Sequence, residues 1–116
     1  MANVLVSVVA ILHVYFMFLE MFLWTKPKGL KIFGNTLEKA KASELLASNQ
    51  GLYNGFLAAG LTWGLLHPSL DFSFQIKLFF LSCVILAGLY GTYSVTRKIF
   101  YFQALPAVVA MILLMV

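Results

Sequence analysis

Four long apolar stretches alternate with short polar ones: Ala2 to Trp24, Asn49 to Leu66, Gln75 to Thr96 and Ile99 to Val116. A bilayer core about 30 Å thick is crossed by about 20 apolar residues in a helix, and each stretch approaches or reaches that length. The pattern predicts an all-α fold: a four-helix transmembrane bundle of up-down topology, with helices at about 2–24, 45–66, 75–96 and 99–116. Residues 1–116 then form a single integral membrane domain, with one longer loop at about 25–44. Thr25-Lys26-Pro27-Lys28-Gly29 is expected to stop the first helix, because proline disfavours helical geometry in its predecessor and glycine tolerates a turn. Asn35, with Glu38 three residues on, has the spacing of a capping box, so a helix is expected to restart at Thr36. From there to Ser48 two readings stand: a water-facing extension of the second span, or an interfacial helix bent away from it. Ser69 to Phe74 reads as a short polar turn. Pro106 is expected to bend the fourth helix or to sit in its first turn.

Composition agrees with the pattern. The chain is 62% hydrophobic and 10% charged, with a mean hydropathy of +0.94, too apolar for an ordinary soluble domain. Its net charge of +4 does not indicate nucleic acid, since the basic residues flank apolar segments rather than interleave with aromatics along a soluble face. Membrane lipids are the expected partners. Lys26, Lys28, Lys31, Lys39, Lys41, Arg97 and Lys98 fall on one side of the predicted bundle and only Lys77 on the other. By the positive-inside rule the loops at 25–44 and 97–98 are cytoplasmic. The reading is therefore a multi-pass protein of the plasma (inner) membrane with both termini outside. Residues 1–24 carry no basic leader or small-residue cleavage pattern, so they are expected to remain as a permanent helix. Cys83, the only cysteine, lies among apolar residues and is read as a packing residue.

The candidate chemistry is an intramembrane polar cluster. Glu20 ends the first span, and an acid within a span is expensive unless paired, neutralised or wet. His13 lies seven residues earlier on the same face, about 10.5 Å away along the axis. Asn49, Gln50, Tyr53 and Asn54 open the second span. With His13 and Glu20 they form the expected ligand-binding set, in the cytoplasmic half, with Tyr90, Tyr93 and Gln103 as outer neighbours. Each has a bland reading: Glu20 reaching the lysines of its own loop, His13 a neutral core imidazole, the amides holding helices together at about 1 kcal/mol or less per bond. One histidine and one acid do not make a metal site, His67 belongs to the opposite face, and no cofactor motif is present. Gly51, Gly55 and Ala59, and Cys83, Ala87 and Gly91, form small-residue rows that suit helix contacts within the chain or a homo-oligomer.

Glu20-Met21-Phe22-Leu23-Trp24-Thr25, then Gly29 and Phe33-Gly34, and Asn49-Gln50-Gly51-Leu52-Tyr53-Asn54-Gly55-Phe56-Leu57-Ala58-Ala59-Gly60 resemble a family of small bacterial integral membrane proteins of unassigned function. The resemblance implies four spans and carries no activity. Three functions stay open. The favoured one is binding or transport of a small polar or amphipathic molecule, with Glu20 and His13 as protonatable groups for proton coupling and the second-span amides as ligand hydrogen-bonders. The others are a membrane enzyme using His13 or Glu20 as acid or base on a lipophilic substrate, and a structural or accessory subunit.

Overall fold

A computed structural model describes all of residues 1–116. The chain is helical, without strands, and its six α-helices are α1 (Ala2–Met21), α2 (Pro27–Phe33), α3 (Leu37–Ala42), α4 (Glu44–Leu66), α5 (Leu70–Ser94) and α6 (Leu105–Met115), with a π-helical segment, Phe100–Ala104, leading into α6. Two of them, α1 and α5, are long and apolar enough to cross a membrane. The other two expected spans fall short for local reasons. Ser48, Asn49, Gln50, Tyr53 and Asn54 make α4 more polar, and the stretch Phe100–Met115 is shorter.

The chain divides into two compact units, residues 1–11 with 57–116, and residues 12–56. In the first, Val6, Val9 and Ala10 of α1, Leu61 of α4, Leu81 and Val84 of α5, and Ala107 and Ala110 of α6 form the buried core. Small residues let these helices approach. A Cβ added at Gly88 would stand 2.7 Å from the Ala104 nitrogen, and one at Gly64 would stand 2.7 Å from Lys77 Cγ. Ser73 Oγ donates to the Gly64 carbonyl at 2.6 Å, and the buried Lys77 Nζ donates to Asn3 Oδ1 at 2.8 Å. Lys77 thus lies beside a neutral amide.

Helix α5 starts at Leu70, five residues before the expected Gln75, because the presumed turn is its first turn. Ser69 caps it by accepting from Phe72 N–H, and Asp71 lies where the helix dipole favours an acid. His67 is half-buried, and its Nδ1 accepts from Ser69 N–H at 3.1 Å. Pro106 lies in the first turn of α6, and the chain before it is wound wide, with Leu105 N–H donating to the Phe100 carbonyl.

The second unit holds the most folded of the connections. Pro27 does not end a helix but starts one, at the first position of α2, where its fixed φ is favourable. Gly29 is likewise inside α2 rather than in a turn. A Cβ there would overlap the Leu23 carbonyl oxygen, so only glycine lets α2 lie against the chain leaving α1. Gly34 closes α2 in the left-handed region, φ 65°. The next cap is Thr36, not Asn35: the Thr36 hydroxyl accepts from Lys39 N–H and the helix begins at Leu37. That helix does not run on into the second span, because at Ser43 the backbone leaves helical geometry before α4 begins. Ser43 is held there, its hydroxyl accepting from Trp24 Nε1 at 3.1 Å while Trp24 packs on Phe33 at 4.8 Å between ring centres.

Candidate functional site

Helical phase decides which polar residues of α4 meet α1. Gly51 and Gly55, one turn apart, face it: a Cβ at Gly51 would stand 2.6 Å from Met21 Cγ and 3.1 Å from both the Met17 carbonyl oxygen and Glu20 Cβ, and one at Gly55 would stand 2.8 Å from Met17 Sδ. Backbones that close leave room only for side chains projecting from the flank of the contact. At 100° per residue Asn54 lies about 60° from Gly51, whereas Asn49 and Tyr53 lie about 160° away. Asn54 is accordingly buried and donates its side-chain amide to the Glu20 carboxyl oxygen, which is itself buried. Asn49, Gln50 and Tyr53 are exposed, Tyr53 stacking on Phe56 of its own helix at 6.0 Å.

His13 is fully buried, on the stripe of α1 that also carries Glu20, with its ring edge against Phe16 at 5.3 Å. Of the residues named as outer neighbours, Tyr90 and Tyr93 are exposed on α5, and Gln103 is half-buried in the π-helical segment. Within the unit 12–56, the fold thus joins one acid to one amide, with His13 two turns away.

Chemically, the pair offers a carboxyl group to exchange a proton or accept N–H donors, and an amide with one donor and one acceptor left over. No side-chain nitrogen or oxygen in the chain is both fully buried and unpaired. No group of three or more His, Cys, Asp or Glu side chains is placed to hold a metal ion.

Three features were invisible as partners in the sequence. Ser43 as acceptor for Trp24, Ser73 on the Gly64 carbonyl and Asn3 on Lys77 join residues that are individually unremarkable. Nothing in the spacing of Asn3 and Lys77, 74 positions apart, pairs them.

The profile of a family described as "Protein of unknown function (DUF1304)" matches residues 7–115. An uncharacterised protein, YpaA, of Lactococcus lactis subsp. lactis (strain IL1403) is 31% identical over 111 residues, covering 94% of this chain and 92% of that one. No solved structure matches.

Proposed function

We propose, for a chain that belongs to the DUF1304 family of proteins of unknown function, an integral membrane protein of four spans that binds a small polar or amphipathic molecule at Glu20 and Asn54. The spans are α1, the apolar part of α4, α5, and the π-helical segment continued by α6. Both termini lie outside, and the site opens toward the cytoplasm. Glu20 exchanges a proton as the ligand enters or leaves. Supporting the membrane reading, the apolar window of α1 is only 33% buried and that of α5 only 28%, whereas the core helix of a soluble protein is mostly buried. The apolar side chains turned outward include Phe18, Phe22, Phe56, Trp63, Phe79 and Leu86, a surface suited to lipid.

The observation that carries the binding reading is the Asn54 amide on Glu20, a buried acid in an apolar helix whose partner is neutral. A cation would cancel the charge permanently. An amide holds the carboxyl in place and leaves its charge to be met by a proton or by a ligand. The test is proton movement across proteoliposomes, read with an enclosed pH-sensitive dye while a panel of small amines, acids and polyols is added. The native chain should move protons with at least one solute class, and Glu20→Gln should abolish that response without loss of helicity.

One observation favours a second reading, a structural or accessory subunit: the Glu20–Asn54 bond forms within the chain and flanks the tight Gly51–Gly55 contact. In that case Glu20→Gln and Asn54→Ala change stability alone, and no solute moves protons through the native chain.

A further inference from the structure

In the unit 12–56, Lys28 Nζ stands 5.6 Å from the centre of the Tyr15 ring. Tyr15 lies six residues before Met21, the end of α1, or about 9 Å along the axis. Its ring is exposed, and Phe18 and Phe22, three and seven residues on, continue an exposed aromatic stripe. Lys28 therefore reaches back from the first turn of α2 along the outer face of α1. Lys31, three residues on, is exposed on the same side of α2.

On a soluble protein a lysine over a tyrosine ring would be an ordinary surface contact. Beside a membrane span it has a different meaning. Lysines near the end of a span direct the ammonium outward to water, whereas this one turns it inward, to the depth where headgroup meets hydrocarbon. A ring face does not neutralise a charge held there. The anion found at that depth in a bilayer is a lipid phosphate, and a negatively charged headgroup fits best, because Lys26, Lys39 and Lys41 are also exposed and add to the positive field.

We propose that Lys28, with Tyr15 and Lys31, binds the phosphate of an anionic phospholipid whose glycerol and upper acyl segments lie against Tyr15 and Phe18. The proposal rests on α1 being a membrane span and is independent of any ligand at Glu20. Lys28 over Tyr15 fixes the position of the headgroup, while the remaining lysines supply non-specific attraction.

The test uses the full chain, purified in detergent and given equal amounts of phosphatidylglycerol and phosphatidylcholine, with retained lipid counted by native mass spectrometry. The native chain should retain phosphatidylglycerol preferentially. Lys28→Gln should lower that retention about fivefold, the worth of one lysine at a membrane surface, and Tyr15→Leu should also lower it. Lys39→Gln, on α3, should change it by less than about twofold. Equal loss with Lys39→Gln and Lys28→Gln would reduce the site to diffuse attraction and overturn it. Displacement of the lipid by millimolar inorganic phosphate would make it a site for free phosphate, also against the proposal. Alkaline carbonate extraction of membranes from expressing cells separates the two readings. Release of the native chain removes the membrane reading and the lipid site together, whereas retention with no effect of Lys28→Gln removes the lipid site alone.

Discussion

The bond from Asn54 to Glu20 combines two groups that are each costly alone in an apolar setting, so their energies are strongly coupled. Removing the amide leaves a buried carboxyl without its donor, a loss of about 1–3 kcal/mol, whereas Glu20→Gln keeps an acceptor oxygen and should cost under about 1 kcal/mol. Asn54→Leu should therefore destabilise the chain more than Glu20→Gln. Glu20→Leu combined with Asn54→Leu should recover about 0.6–1.7 kcal/mol relative to the sum of the single changes, read from unfolding in a denaturing detergent. Two glycines make a second comparison. Gly29→Ala drives a methyl group into the Leu23 carbonyl and should cost about 3 kcal/mol or more. Gly34→Ala meets nothing within 4 Å and loses only the ease of a positive φ, about 1–2 kcal/mol. Glu20, Trp24, Gly29, Phe33, Gly34, Gly51 and Asn54 all lie in the unit 12–56. The structure gives each a contact or a backbone conformation that would be lost on substitution. What the sequence could not disclose was direction: Asn49, Gln50 and Tyr53 are as polar as Asn54, yet only the approach of α1 to Gly51 and Gly55 settles which of them turns inward.

At the scale of elements, hydropathy located the long helices, missing the start of α5 by five residues and the end of α1 by three. A run of apolar residues specifies that a helix forms, while its limits depend on single capping groups such as Ser69 or Thr36 and on whether Pro27 begins a helix or ends one. The connection at 25–44 was least legible, since α2 and α3 are short and owe their placement to distant partners, Leu23 for Gly29 and Trp24 for Ser43. Particular glycines acquire particular neighbours: Gly60 and Gly64 pack on Phe80 and Lys77, and Gly88 on Ala104. Gly88→Ala presses a methyl group against the backbone nitrogen of Ala104, which cannot rotate away. It should lower the midpoint of thermal unfolding, a loss of about 1–3 kcal/mol, whereas Ala87→Gly, at an exposed position of the same helix, should cost no more than about 1 kcal/mol.

For the whole molecule, the proposed four spans depend on α4 and the Phe100–Met115 stretch crossing a membrane alongside α1 and α5, although both are less apolar or shorter. The distribution of charge argues for it, since seven of the eight cations then lie on the cytoplasmic side and the eighth, Lys77, is enclosed against Asn3. What is proposed for Glu20 follows from that arrangement, whereas the lipid site at Lys28 needs only α1 as a span. The most direct measurement is the sidedness of single cysteines placed in a Cys83→Ser background at three exposed positions, Lys39, Pro68 and Arg97, and treated in intact cells with a membrane-impermeant maleimide. The four-span arrangement predicts labelling of Pro68→Cys from outside, and of Lys39→Cys and Arg97→Cys only after the membrane is opened. Labelling of Lys39→Cys in intact cells, or the same sidedness for Lys39→Cys and Pro68→Cys, would contradict it.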